Sequence, residues 1–255
     1  MAKNEVVKDK VNLPANVDLE SLAGAGMETV TMRDMSVPFL KILQTLSPEL
    51  KKSKAEYVEG AEEGDIMNTV TGKLAKEVQV VPCFYQFVVN EWKPQRGGFV
   101  ASHFEGDPII ASAVQTTDAD GKRILQAKNG NVLVDTANWY VLVKDRNDQW
   151  TWGVIAFTST QLKYSRKLMT RLQSVKMEGK NGPFTPPIYA HILEMSTVPE
   201  SKGDNEWMSW KIDLSDQRCF EDHELFQKAV DFHEQVKKGL VKAIPQVEET
   251  VEPAY

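Results

Sequence analysis

The sequence has little cysteine and no long apolar segment, and both absences limit what the chain can be. Its 255 residues include only two cysteines, Cys83 and Cys219, too few for a multi-disulfide scaffold or a four-thiolate zinc site. Apolar runs such as 87–89 extend over only a few residues, far fewer than a membrane span requires. The first ten residues are charged and lack the apolar core of a signal peptide, so we expect a cytosolic protein without membrane contact.

The motifs of the common enzyme classes are also missing. The sequence contains no Walker phosphate loop, no dinucleotide-binding glycine motif and no nucleophile-elbow serine motif. Its four histidines are scattered, and none is spaced from a cysteine as metal ligands are. Cys83 lies in an apolar strand pattern, which favours a buried, unreactive thiol. We therefore predict a protein that is not an enzyme and that uses no cofactor and no metal.

Two alternatives stay open beside a binding protein. The triplet Glu91-Trp92-Lys93, downstream of Asp65, resembles the acid-x-lysine pattern with which metal-dependent nucleases hold Mg²⁺. Such triplets are common by chance. The other alternative is a protein-interaction module that targets a host enzyme. A nuclease assay with Mg²⁺ and a titration with a labelled oligonucleotide separate these possibilities.

Charge and aromatic residues are unevenly distributed. The net charge of −6 divides into −3 over residues 1–80, +4 over 81–182 and −7 over 183–255. All six tryptophans fall between residues 92 and 210, and 16 of the 22 aromatic residues lie within 84–210. Single-stranded nucleic acid requires this combination, because cations contact the phosphates and flat rings stack on unpaired bases. The middle of the chain therefore favours a single-strand binder over a protein that contacts no nucleic acid.

Hydrophobic periodicity predicts a mainly β protein with flanking helices, an α+β fold. We predict helices over 36–46, 161–177 and 220–243, strands over 78–89 and 99–104, and hairpins pairing 139–144 with 149–157 and 188–195 with 207–214. Pro82 indicates an edge or a bulge. The order of strands, helix and strands matches an OB-fold barrel, with N-terminal and C-terminal helical decorations. We expect this domain over 35–243, after a flexible arm over 1–34 and with a turn-rich excursion over 116–131.

The predicted helix over 161–177 is strongly basic. Residues 160–182 carry six cations and a single acid, Glu178. Lys163, Lys167 and Arg171 recur every four residues and share one face, with Arg166 beside them. A solvated face of a helix usually interleaves glutamates with its lysines, so this face is predicted to contact phosphates.

Strand alternation separates candidate stacking residues from the core. Trp207 shares a face with Lys211 opposite Trp210, and Tyr140 shares one with Lys144. Trp150 and Trp152 fit a core or a binding platform equally well. The predicted DNA-binding residues are Trp92, Lys93, Arg96, Tyr140, Lys144, Arg146, Trp150, Trp152, Lys163, Arg166, Lys167, Arg171, Trp207 and Lys211.

Residues 244–255 are predicted to be an acidic disordered tail. They carry Glu248, Glu249 and Glu252, contain no basic residue, and end in Tyr255. Such a tail either recruits replication or recombination proteins or occupies the basic groove until nucleic acid displaces it. A simple solubilising role is the alternative.

Four stretches resemble a group of tailed-phage single-stranded DNA-binding proteins. They are VPFLKILQTLSPELKK, EGAEEGDIMNTVTGK, FTSTQLKYSRKLMTRL and MSTVPESKGDNEWMSWKID. The similarity extends over about residues 35–215. It implies a phage replication or recombination protein with an OB-like core that binds and protects single-stranded DNA, without sequence preference, in the bacterial cytoplasm. The resemblance assigns no role to individual residues, so the predicted sites depend on charge and alternation alone.

Overall fold

The computed structural model describes residues 18, 21–31, 34–94, 97–118, 121, 123–203 and 205–245 of the chain. The strands in these ranges are β1 (Leu40–Ile42), β2 (Ile66–Asn68), β3 (Leu74–Ala75), β4 (Glu77–Trp92), β5 (Phe99–His103), β6 (Val114–Thr117), β7 (Arg123–Gln126), β8 (Val132–Lys144), β9 (Trp150–Thr158), β10 (Met177–Gly179), β11 (Gly182–Phe184), β12 (His191–Lys202) and β13 (Asn205–Arg218). The α-helices are α1 (Pro108–Ala111), α2 (Leu162–Ser174) and α3 (His223–Lys237). Among the described residues, no helix is long and apolar enough to cross a membrane.

The long strands β4 and β8 form the centre of an eight-stranded antiparallel sheet. Its main path runs β13-β12-β4-β8-β7-β6, with β5 added to β4 and β9 added to β8. Residues 136–143 of β8 are all buried, a pattern typical of a strand covered on both faces. The β4–β8 register shifts between Pro82 and Phe84, an irregularity that agrees with the predicted edge or bulge at Pro82. Two smaller sheets, β1-β2-β3 and β10-β11, complete the β-structure of the described residues.

One helix covers each face of the central sheet. On the first face α2 packs over Trp139, whose Nε1 donates to Ser165 Oγ at 2.8 Å. On the opposite face α3 packs over Tyr140, and Ala243 N donates to the Tyr140 hydroxyl at 3.1 Å. Consecutive residues of β8 thus enter two separate cores, and the chain forms a helix–sheet–helix sandwich.

The sheet does not close into a barrel. Strands β9, β8, β4, β12 and β13 are hydrogen-bonded in that order, but β9 and β13 are not paired with each other within the described ranges. The segment that contains β1 lies between them. Phe39 bridges to Val154 of β9, and the Gln44 side chain exchanges two 2.9 Å hydrogen bonds with the backbone of Met208 on β13. The mainly β class is confirmed, whereas the OB-type barrel stays a prediction.

The predicted helix over 36–46 is wrong. This segment is extended, because neighbouring strands satisfy its backbone groups: Val154 N donates to the Pro38 carbonyl at 2.8 Å, and Thr69 N donates to the Phe39 carbonyl at 2.9 Å. Leu40 and Leu43 are buried in the core without helical geometry. An isolated helix of this length is only marginally stable, so strand pairing determines the conformation.

The other predicted elements are present, with shorter or longer bounds. Both hairpins form: Lys144 pairs with Trp150, and Lys202 pairs with Asn205. Helix α3 begins at an N-cap, Asp222, whose carboxylate accepts from Leu225 N at 3.0 Å, and it ends well before residue 243. The predicted turn-rich excursion contains an additional hairpin, β6–β7.

Candidate nucleic-acid interface

A groove of about 910 Å³ crosses one end of the central sheet, where β8 ends and β4 begins. We call it the open groove. Its lining comes from every strand of the β9-β8-β4-β12-β13 series, from the β1-β2-β3 sheet and from α3. The lining includes Lys73, Glu77, Gln79, Lys144, Asp145, Arg146, Trp150, Trp152, Glu194, Ser196, Lys211, Asp213 and Lys228. Leu40 and Ile66 add apolar surface. The groove is therefore a broad surface of mixed polar, aromatic and apolar character.

The aromatic edge of the open groove is formed by Trp150 and Trp152 on β9. Both side chains share the face of Lys144, which lies directly opposite Trp150 on β8. The Trp152 ring stacks on Phe232 of α3 with 6.5 Å between centroids, so its position is fixed by the core. Both indoles are half-buried. They are therefore held in place and still partly accessible.

The β8–β9 turn orients the residues that flank these indoles. Asp145 Oδ1 accepts from Asn147 N at 2.8 Å and from Gln149 N at 3.0 Å. Burial raises the pKa of Asp145, but these hydrogen bonds and the Lys73 ammonium lower it by more, so the carboxyl stays ionised. Asp148 has a φ of 60°, which aspartate tolerates better than most residues. The turn thus fixes Arg146, whose Nη2 donates to the Leu74 carbonyl at 2.7 Å.

Two cations of the open groove were not predicted from the sequence. Lys73 lies between β2 and β3 and pairs with Asp145 at 3.5 Å. Lys228 of α3 donates to the Trp150 carbonyl at 2.5 Å. Both lie outside the basic region, residues 81–182. The groove collects five cations and four carboxylates in all, so its charge is mixed rather than strongly basic.

A second, smaller cavity of about 290 Å³ lies between α2 and β13, and it shares Lys211 and Asp213 with the open groove. Lys167 and Arg171 line it. Arg171 Nη1 donates to the Ile212 carbonyl at 2.7 Å, so this residue anchors the helix. Lys167 is exposed and has no hydrogen bond or ion pair among the described residues.

The acids that balance the basic helix come from a neighbouring strand. Lys163 pairs with Glu200 of β12 at 2.9 Å, and Tyr164 hydrogen-bonds to the same carboxylate. The hydrogen bond that Lys163 itself donates to Glu200 raises the pKa of Lys163. Arg166 is exposed on the same helix, next to Lys167. The predicted cationic face therefore exists, but part of its charge is neutralised by β12.

Tyr140 and Trp207 were wrongly predicted to stack on bases. Only 2% of Tyr140 is exposed, because α3 and Ala243 cover its face of the sheet. Only 8% of Trp207 is exposed, and Ser209 on the same face is completely buried beside Gln161. Alternation separated the two faces of each strand correctly, but both faces are covered at these positions. Neither ring is accessible to a base.

Trp92 and Lys93 lie at the opposite end of the sheet from the open groove. Trp92 pairs with Val132 on β8, whereas Val80 near the groove pairs with Val143. At about 3.3 Å per residue, these two positions on β8 are separated by about 35 Å. Trp92 packs edge-on against Phe99 with 5.7 Å between ring centroids. Arg96 and the tail residues Glu248, Glu249, Glu252 and Tyr255 lie outside the described residues.

Glu91, at this far end, belongs to a local hydrogen-bond network. Its Oε2 is 2.8 Å from His103 Nε2, and its Oε1 accepts from Asn129 and Asn131 at 2.7 and 2.6 Å. Asp65, in contrast, forms an ion pair with Lys76, the residue immediately before β4. The two carboxylates of the nuclease alternative therefore lie at opposite ends of β4. The described ranges contain no group of three His, Cys, Asp or Glu residues placed to hold a metal ion.

The comparisons with known proteins give a family. No curated protein and no solved structure matches the chain. A family model described as Pam3 phage gp34-like protein matches residues 4–242, which is nearly the whole sequence. The expected phage origin is thereby confirmed, and the chain belongs to the Pam3 phage gp34-like protein family.

Proposed function

We propose that this phage protein binds single-stranded DNA in the open groove and protects it during replication or recombination. One observation carries the proposal: Trp150 and Trp152 share a single accessible face with Lys144, beside a groove that spans five strands. Indoles that are fixed by the core stack on unpaired bases of any sequence, and base pairing hides those ring faces in a duplex. Five predicted residues line this one groove, namely Lys144, Arg146, Trp150, Trp152 and Lys211.

The cations around the groove support a path for the phosphate backbone. Arg146, Lys73 and Lys228 project from turns or from α3, at the margin of the strands. Lys167 and Arg171 continue this series through the smaller cavity, which adjoins the groove at Lys211. The indoles lie on the α3 face, so a DNA strand that starts on β9 reaches the cations of α2 by passing around the edge strand β13 at Lys211.

The order of the elements supports a modified OB-type architecture. The proposed core strands pair in the series β9-β8-β4-β12-β13, and α2 connects the β8–β9 hairpin to the β12–β13 hairpin. OB-folds bind single strands on one open face of such a sheet. In this proposal the segment of β1 takes the position at which a barrel would close. The proposed site of action is the cytoplasm of the bacterial host, where phage DNA is copied.

A fluorescence titration with an unstructured oligonucleotide tests this function. We expect binding to quench tryptophan emission, and duplex DNA of equal length to bind more weakly. The logarithm of the affinity should fall linearly with the logarithm of the salt concentration, with a slope near −0.7 per phosphate contacted. Affinity that does not depend on salt, or a preference for duplex, would contradict the proposal.

The indole contacts are tested by Trp150→Leu. Loss of one stacked base should weaken binding by about 1–3 kcal/mol and remove part of the quenching. Trp92→Leu is the matched control, because Trp92 is also a half-buried strand tryptophan but lies at the far end of the sheet. The Trp92 variant should bind normally. If Trp92→Leu reduces affinity and Trp150→Leu does not, the interface lies at the far end.

A further inference from the structure

The floor of the open groove carries hydrogen-bond acceptors, whereas most of its cations stand around it. Gln79, Glu194 and Asp213 are directly opposed across β4, β12 and β13. Side chains at such positions have Cβ atoms about 4.5–5.5 Å apart and form a continuous row. In the next row, Glu77 and Lys211 flank Ser196. Three of the five cations of the groove, Lys73, Arg146 and Lys228, stand outside these two rows on turns or on α3, whereas Lys144 on β8 lies between Trp150 and the row of Gln79.

The carboxylates of the floor are only partly used by the protein. Glu194 is exposed, and Ser215 donates to its Oε1 at 3.0 Å. Its Oε2 has no hydrogen-bond partner among the described residues, and neither oxygen of the exposed Glu77 has one. Asp213 contacts Lys211 and Arg171 only at 3.6 and 3.9 Å. Several acceptor oxygens are therefore available to a ligand in the groove.

Acceptors in this position discriminate among bases. A carboxylate repels phosphate, but it accepts a hydrogen bond from an exocyclic amino group such as N4 of cytosine. Thymine and uracil present a carbonyl oxygen at the same position, which a carboxylate repels, and the single N3–H is the only donor on that edge. Strand β8 alone separates β9 from β4, so these two strands lie about 10 Å apart, and β12 with Glu194 lies one strand further, about 14 Å from β9. A base that stacks on Trp150 or Trp152 therefore lies beside Lys144, and the next base along the bound strand lies over the acceptor rows.

We propose that the open groove selects single strands whose bases carry exocyclic amino groups, and that it binds cytosine in preference to uracil or thymine. The inference rests on the proposed single-stranded DNA function and adds a base preference to it. The cations contact phosphates, which are the same in every sequence. The carboxylates and Gln79 on the floor of the groove, which we call the acceptor floor, hydrogen-bond to the base edges, which differ between bases. Single-stranded bases expose those edges, since no partner strand occupies them.

Oligodeoxycytidylate and oligodeoxyuridylate of equal length test the proposal. Their bases differ at position 4, where cytosine has an amino group and uracil has a carbonyl oxygen. The adjacent ring nitrogen is unprotonated in cytosine and protonated in uracil. We expect the cytosine strand to bind roughly fivefold more tightly or better, the discrimination expected from one base-edge contact. Glu194→Gln keeps the shape of the side chain but adds an amide donor, so the ratio of affinities should fall towards one. Glu206→Gln is the matched control, because Glu206 is exposed on β13 outside the groove and its loss changes the net charge equally.

The ratio of affinities separates this inference from the proposed function. Removing any carboxylate strengthens phosphate binding for both oligonucleotides and leaves their ratio unchanged, so only a base contact moves the ratio. If neither oligonucleotide binds, the single-strand function is wrong and the base preference falls with it. If both bind equally, or uracil binds better, the preference is wrong and the function stands. A cytosine preference that survives Glu194→Gln would overturn the assignment to the acceptor floor.

Discussion

Glu91 and His103 show how individual residues stabilise the far end of the sheet. The Glu91 side chain is 5% exposed, and His103 lies between it and Asp107, whose Oδ2 is 3.0 Å from His103 Nδ1. Burial lowers the pKa of His103, but the hydrogen bonds and charges of Glu91 and Asp107 raise it by more. Burial raises the pKa of Glu91, and its bonds from Asn131, Asn129 and His103 lower it by more. Both groups therefore favour their charged forms in the folded protein.

A pH-dependent stability follows from the raised pKa of His103. Protonated His103 donates to both carboxylates, whereas a neutral imidazole has one N–H and donates to only one. Its stabilisation is complete below the ordinary value of 6.5 and is lost as the pH rises through the raised pKa. We expect His103→Gln to lower the free energy of unfolding by about 2 kcal/mol near pH 6 and by clearly less near pH 9.

Urea denaturation across this pH range checks the His103 prediction. His223→Gln is the control, because His223 is exposed at the start of α3. That variant should match the unsubstituted protein at every pH. A destabilisation by His103→Gln that is equal at both ends of the range would show that protonation plays no part.

Whether the exposure of a single residue could be predicted depended on whether a helix covers the whole face of its strand. Alternation correctly put Tyr140 and Trp139 on opposite faces of β8. It could not show that α3 covers the Tyr140 face, since that contact joins segments about a hundred residues apart. Near residue 150 the cover of this face is incomplete, although Lys228 of α3 still donates to the Trp150 carbonyl. For that reason Trp150 stays accessible while Tyr140 is buried.

At the scale of elements, one side of α2 anchors the helix to the sheet, and its other side presents the cations that are proposed to contact DNA. Its leucines and Ser165 are buried against the sheet. Arg171 is used for the hydrogen bond to β13, and Lys163 is paired with Glu200. Reversal of Lys163, Lys167 and Arg171 together should weaken DNA binding, but the loss of the Arg171 anchor also lowers stability. Lys167 is therefore the cleaner test of phosphate contact.

We expect Lys167→Gln to weaken binding to all single strands alike and to reduce the salt slope by about 0.7, the share of one phosphate. Salt titrations of the variant and the unsubstituted protein measure this slope. Lys128→Gln is the matched control: it removes the same charge from an exposed turn between β7 and β8, at the far end of the sheet. An unchanged slope for Lys167→Gln would remove α2 from the interface.

Elements with strong local signals were predictable, and elements defined by long-range pairing were not. The β8–β9 hairpin has its own turn residues, and α2 has its own apolar stripe. Both elements could therefore be predicted from their local sequence. The segment 36–46 also shows helical spacing, but Phe39 pairs with Thr69 and Val154, residues that are distant in the sequence. Such pairing overrides weak local propensity. For the same reason, the β6–β7 hairpin was not predicted, because its sequence is polar and rich in turn residues.

At the scale of the whole molecule, the open groove is a product of topology. Its lining comes from residues as far apart as Lys73 and Lys228, which no local pattern connects. Composition indicated that cations and rings of the middle segment act together, and five of the fourteen predicted residues do line the groove. The carboxylates on its floor were not predicted, because strand pairing alone brings β4, β12 and β13 side by side. The mixed charge of the groove makes any additional acidic segment a competitor for its few cations.

The last prediction concerns such a segment, the C-terminal residues 246–255. Val241 and Ala243 are buried in the core beneath α3, so a truncation after Pro245 leaves these contacts intact. Removal of Glu248, Glu249 and Glu252 should tighten single-strand binding by about 1 kcal/mol, roughly fivefold, if the carboxylates compete with phosphates for the groove. The gain should be largest at low salt, where screening is weakest. Glu248→Gln, Glu249→Gln and Glu252→Gln combined in the full chain should reproduce the gain, because charge rather than length causes it. Equal low-salt affinities of the truncated, substituted and unsubstituted proteins would exclude competition, and a truncated protein that still supports phage replication would exclude recruitment of partners as well.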